Sequence, residues 1–303
     1  MINNALNNID RYLAYFSATP LPVLRRTVRE LAALRQEEES VSGRRIASVV
    51  LQDPLMTLRV LLHLEANRSR SQNHDITTIE RAIMMLGVTP FFEAFAELPT
   101  VEERLATHPK ALVGLLRVIA RAKQAAHYAR DWAVIRHDLD VDEVTVAALL
   151  HEAAEILLWC FAPAMMMKVT QVLTATQGLR SAVAQRSVLG APVSEIQVAL
   201  AKAWHLPELL VSLMDERQAD NPRVRTVILA CNLARHAANG WSDPALPDDF
   251  SEINQLLRLP PETFMQRLGV PQEYWPPMEK LEVAMTRTSW RDTNLFFRAE
   301  DDS

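Results

Sequence analysis

Apolar residues recur every three or four positions through most of this chain, and that period predicts helices. Leu24, Val28, Leu31 and Leu34 share one face of Val23 to Arg35. Ile46, Val49 and Val50 do the same from Gly43 to Gln52, behind Ser42, a residue type that caps helix starts. Asp53-Pro54 breaks that helix and begins another, because proline suits a first helical turn. Leu55, Leu58, Leu61 and Leu62 form its inward face. Thr77 and Glu80 have capping-box spacing for a helix over Ile79 to Leu86, which Gly87 ends. Leu112 to Val134 predicts one long helix, with Leu115, Leu116, Ile119, Ala126 and Ala129 inward. Residues 1–18, Met165 to Thr176, Val193 to Trp204 and Val224 to Ala238 predict further helices. Residues 241–290 predict three more, broken at Pro244 and Pro247, Pro260-Pro261, Pro271 and Pro276-Pro277. No strand-like alternation and no fixed-period repeat is present, so the expected fold class is all-α.

Val141 to Phe161, VDEVTVAALLHEAAEILLWCF, is helix-length and apolar on nearly every side. A helix of that kind belongs in a protein interior. His151, Glu152 and Glu155 sit in its middle, and polar side chains in such a place need partners or a purpose.

Composition narrows the setting. Glycine is scarce, at 7, and the 17 prolines fall mostly at helix boundaries, as expected of helices joined by short turns. A net charge of −5 argues against nucleic acid or an anionic membrane as the partner of the whole surface. Cys160 and Cys231 lie in apolar helical patterns without zinc-ligand spacing, which reads as buried free thiols in a reducing compartment. The start, MINNALNNIDRYL, lacks the basic and apolar regions of a signal peptide. The densest apolar runs are interrupted by His, Glu, Lys or Arg, short of the roughly 20 apolar residues of a membrane span. The expected location is the cytoplasm. Met165-Met166-Met167 reads as core filler. Arg68-Ser69-Arg70 with Arg44-Arg45 reads as solvated charge. Neither a glycine-rich phosphate loop nor a nucleophile elbow occurs.

The order of several features resembles the HDOD family, a bacterial signalling module related to HD-type metal-dependent phosphohydrolases. These features are Leu21-Pro22, Asp53-Pro54 before a Leu-rich helix, Ala66-Asn67, Ile76-Thr77-Thr78-Ile79-Glu80-Arg81-Ala82-Ile83 and Leu86-Gly87. Leu189-Gly190, Trp204 and Leu206-Pro207 continue the likeness, which thins beyond Ala238. The resemblance implies an HDOD-type subdomain over residues 1–100, a degenerate HD-like subdomain over 101–220, and C-terminal helices over 221–303 packed on the HD-like part.

It also implies where a metal site would lie. HD-type enzymes hold one or two metal ions with a first His, a His-Asp pair on the next helix and a later Asp. The pair falls on His151-Glu152. The first His falls on Arg121, with His127 as a stand-in. A later His falls on Val193, its partner near Asp215 to Gln218, and the final Asp on Cys231. One ligand is kept, one is replaced by a homologue and the rest are lost. An arginine cannot ligate a metal and adds positive charge where a cation would sit.

Three readings of this set stay open. His151 and Glu155, four residues apart, bond to each other or to a buried Arg such as Arg121 and are structural. Alternatively His151 and Glu152, with His127, bind one metal and retain phosphohydrolase activity. In the third reading the pocket takes a nucleotide whose phosphate meets Arg121. The resemblance favours a non-catalytic regulatory or scaffolding protein without a cofactor, acting on signalling partners through protein contacts. A homo-oligomer is compatible with this.

Overall fold

The computed structural model describes residues 1–2, 4–6, 8–67, 77–176 and 178–275. Every regular element among them is helical, and their one β contact is an isolated bridge between Val23 and Thr100. The fold is all-α. In chain order the helices are α1 (Ile9–Ala18), α2 (Arg25–Arg35), α3 (Gly43–Val50), α4 (Pro54–Ala66), α5 (Ile79–Leu86) and α6 (Val88–Ala94). Then come α7 (Val101–Arg104), α8 (Pro109–Ile135), α9 (Val141–Leu150), α10 (Ala153–Phe161), α11 (Pro163–Ala175) and α12 (Ser181–Leu189). The series ends with α13 (Val193–Ala203), α14 (Glu208–Leu213), α15 (Pro222–Ala237), α16 (Leu246–Leu257) and α17 (Pro261–Leu268).

Local chemistry sets several of these starts. The Ser42 hydroxyl accepts the Arg45 N–H at 3.3 Å and caps α3. Asp53 caps α4, accepting from Leu55 N–H at 2.9 Å and Met56 N–H at 3.4 Å, with Pro54 in the first turn. Its other oxygen accepts the Leu24 N–H at 2.7 Å and the Thr27 hydroxyl at 2.9 Å. One buried carboxylate therefore starts α4 and ties it to α2. The capping box expected at Thr77–Glu80 does not form. Thr78 is the N-cap of α5, and Thr77 donates its hydroxyl to Glu143 Oε1 at 2.6 Å instead. The buried Glu143 carboxylate, which also takes Arg223 Nη2 at 2.9 Å, outcompetes the local cap. A capping box does form at Thr100–Glu103.

The chain divides into two compact units, Met1–Cys231 and Asn232–Ser303, with the boundary inside α15. The first takes in the whole of the expected 1–100 and 101–220 subdomains. At its centre α9 runs beside α8, and α10 packs against α8, α11 and α13. Contrary to the expectation drawn from its interrupting polar residues, Val141–Phe161 has the length and apolar composition of a membrane span, but 83% of its most apolar window is buried in the core. On α8, Leu115, Ile119, Ala126 and Ala129 point inward as the period predicts, but Leu116 is 40% exposed. The apolar stripe of α8 is wider than the core it covers.

In the second unit α16 and α17 meet through Phe250 and Phe264, ring centroids 6.2 Å apart and nearly perpendicular. Pro247 lies in the first turn of α16 and breaks nothing. His236 Nδ1 meets Asp249 Oδ2 at 2.6 Å. Pro276-Pro277, the segment after them, Arg68-Ser69-Arg70 and Ile76 of the family-like motif lie outside the described residues.

Candidate functional site

The run Val141–Phe161 is not one helix. α9 ends at Leu150, α10 begins at Ala153, and His151-Glu152 lie between, with Glu152 at φ −101° and ψ 19°. A break in a buried helix strands backbone groups on both sides of it. Gln197 of α13 partners them. Its Oε1 accepts the Ala154 N–H at 2.7 Å, and its Nε2 donates to the Leu150 carbonyl at 3.1 Å. Gln197 is only 8% exposed, so it takes the place that water would hold at an open break.

Arg121 of α8 meets the two carboxylates beside this break. Its Nε donates to Glu152 Oε2 at 3.2 Å and its Nη2 to Glu152 Oε1 at 3.0 Å, a bidentate pair. The same Nη2 donates to Glu155 Oε2 at 3.0 Å. Side-chain exposures are 21% for Arg121, 14% for Glu152 and 22% for Glu155, so these pairs are largely withdrawn from solvent. Burial by itself lowers the Arg121 pKa. The charges of Glu155 and Glu152 outweigh burial and hold that pKa above its usual value. The cluster therefore carries a permanent internal cation.

Two residues that the sequence reading passed over complete the cluster. Trp159, one turn beyond Glu155, donates Nε1–H to Glu155 Oε1 at 3.4 Å. Its ring lies against Gly114 of α8, where an added Cβ would come within 2.6 Å of it. Glycine in a helix interior costs about 1 kcal/mol relative to alanine. Here it makes room for the indole. A glycine inside a strongly periodic 27-residue helix was a readable signal of close approach. Gln197 gave no comparable signal.

The remaining candidates are dispersed. His151 is the half-buried C-cap residue of α9. Cys231 is buried on α15, its Sγ 3.9 Å from the Ala148 carbonyl of α9. Val193 is the first residue of α13, and Asp215 is engaged by Arg217 at 2.8 Å. His127 is exposed and opens onto a different face of α8 from Arg121. Burial pushes the Cys160 thiol well above its ordinary value, which leaves it unreactive.

These positions do not fit the metal that the HD-type likeness implies. Both oxygens of Glu152 are committed to Arg121, the residue on which the resemblance places the first His, and His127 lies elsewhere. Among the described residues no group of three or more His, Cys, Asp or Glu is arranged to hold a metal ion.

A cleft of about 1100 Å³ opens on the other side of α8, between it and α2, α3, α5 and α9. Leu51, Ile79, Leu116, Ile119 and Val146 contribute its apolar lining. Arg26, Arg44, Lys123 and Arg130 also line it, with Glu80, Glu102 and Asp142.

Comparison with curated proteins returns no match. Solved structures do share the fold. The response regulator MmoQ from Methylococcus capsulatus str. Bath aligns with a TM-score of 0.63 at 18% identity, covering 84% of this chain and 99% of that one. A virulence factor from Campylobacter jejuni subsp. jejuni aligns with a TM-score of 0.61 at 19% identity, covering 90% of this chain and 98% of that one. At these identities the likeness is one of fold. The HDOD domain matches residues 21–219, from the Leu21-Pro22 pair to the turn after α14. With more than half of its length matched, this chain belongs to the HDOD family.

Proposed function

We propose that this protein is a non-catalytic regulatory or scaffolding module of bacterial signal transduction, acting in the cytoplasm through protein contacts. The observation that carries the reading is the Arg121 guanidinium held between Glu152 and Glu155. HD-type hydrolysis depends on a metal that lowers the pKa of bound water and polarises the phosphate. A guanidinium with its pKa held high neither activates water by ligation nor exchanges a proton near neutral pH. The nucleotide reading loses support on the same ground, since Arg121 would have to leave two carboxylates to take a phosphate. The fold shared with a protein described as a response regulator is in keeping with a signalling role.

The test is turnover of bis(p-nitrophenyl) phosphate by the full chain, with Mn²⁺ or Fe²⁺ added. The expected result is no metal-dependent rate above that of His151→Ala. A rate that requires the metal and disappears in His151→Ala would overturn the proposal.

A further inference from the structure

We propose that the cleft between α8 and the α2–α3–α5 layer is the docking groove for an acidic amphipathic helix of a partner protein. This rests on the reading that the protein works through protein contacts, and it moves the working surface away from the Arg121 cluster. The floor is aliphatic: Ile79, Ile119 and Val146 lie at its base, nearly wholly buried, and half-buried Leu51 opens onto it. Leu116 adds a large, 40% exposed side chain to one wall. Among the described residues no Phe, Tyr or Trp lines the cleft, and His127 is the one ring that does.

Geometry favours a helix as occupant. The α8 wall runs from Leu116 to Arg130, about 21 Å at 1.5 Å per residue, which matches a partner helix of about 14 residues. The cleft's volume of about 1100 Å³ lies at or above the upper end of small-ligand pockets, which run to roughly 1,000 Å³. The walls are helices without a sheet edge. An extended peptide laid on the apolar floor would leave its backbone N–H and C=O groups without partners there, whereas a helix satisfies its own.

Charge selects the sign of the partner. Arg26, Arg44, Lys123 and Arg130 line the cleft against Glu80, Glu102 and Asp142, a local positive excess in a chain of net charge −5. Arg26–Glu30, Arg44–Glu80 and Arg130–Asp142 are solvent-exposed pairs, and Lys123 adds a cation beside them. Such pairs contribute little and re-form with a partner carboxylate at small cost.

The experiment is fluorescence anisotropy with the full chain and two labelled helical peptides. Both carry the same Leu/Ile stripe, one flanked by Glu and the other by Lys. A cyclic dinucleotide serves as a third probe. The acidic peptide is expected to bind at least about tenfold more tightly than the basic one and to weaken with added salt. The variant Lys123→Glu/Arg130→Glu is expected to reverse that preference. No binding of the acidic peptide, equal binding of both, or binding unchanged in the variant overturns the proposal. So does binding of the cyclic dinucleotide that the same variant abolishes, which would make the cleft a small-ligand site. Metal-dependent turnover would remove the non-catalytic reading and leave the peptide result standing. Charge-blind peptide binding would remove the groove and leave the non-catalytic reading standing.

Discussion

At the scale of single residues, Arg121 supplies the positive charge that keeps Glu152 and Glu155 on neighbouring turns. Arg121→Ala leaves two carboxylates facing each other in a poorly solvated place and is expected to cost roughly 3 kcal/mol, read as a lower midpoint in urea unfolding. Replacing all three together, Arg121→Met with Glu152→Gln and Glu155→Gln, is expected to recover most of that loss, because no uncompensated charge is left. A triple variant as unstable as Arg121→Ala would show that the ion pairs are not the source of the effect. A second residue-scale test is at Asp215, whose carboxyl the hydrogen bonds of Arg217 hold down at about 2. Its folded pKa lies below the unfolded value, so its contribution to stability is present above the unfolded pKa and is lost as pH falls through about 2. In Arg217→Ala the Asp215 titration, followed by NMR, is expected to move up towards the ordinary carboxylate range.

At the scale of elements, the decisive event is the interruption between α9 and α10. The sequence predicts a continuous helix there because propensity and period give no reason to stop within Leu149-Leu150-His151-Glu152-Ala153. The stop depends on Gln197, 43 residues from Ala154, and a partner that distant leaves no mark on the local pattern. Caps that act within three residues were legible, as at Ser42 and Asp53. Thr77 was misread because its hydroxyl answers to Glu143, 66 residues away. The Arg121 partnership was legible in part: an arginine on α8 facing Glu155 was foreseeable, but its bidentate pairing with Glu152 was not. Gln197→Leu removes both amide contacts and is expected to cost roughly 2 kcal/mol, with faster hydrogen exchange at Ala154. Exchange at Ala154 unchanged from the parent would mean that the break is held by something else. Gly114→Ala is expected to destabilise by about 1–3 kcal/mol despite alanine's better helix propensity, because its Cβ would press into the Trp159 ring. A gain in stability would place the indole elsewhere.

At the scale of the whole molecule, helix content and the family-like order of motifs were readable from the period and the breakers alone. The large cleft was not, since its walls come from α2, α3, α5, α8 and α9, and only folding brings them together. The cleft accounts for Leu116, which the period assigns to the core and the structure exposes. In the first unit, then, the face of α8 with Arg121 is closed by ion pairs while the face with His127 is open. A protein that had kept an HD-type centre would bind a metal through His151. The most direct measurement is therefore elemental metal analysis of the chain, purified without chelators or a His tag, beside His151→Ala. This account predicts metal well below one ion per chain, with no difference between the two proteins. About one transition-metal ion per chain, lost in His151→Ala, would contradict it.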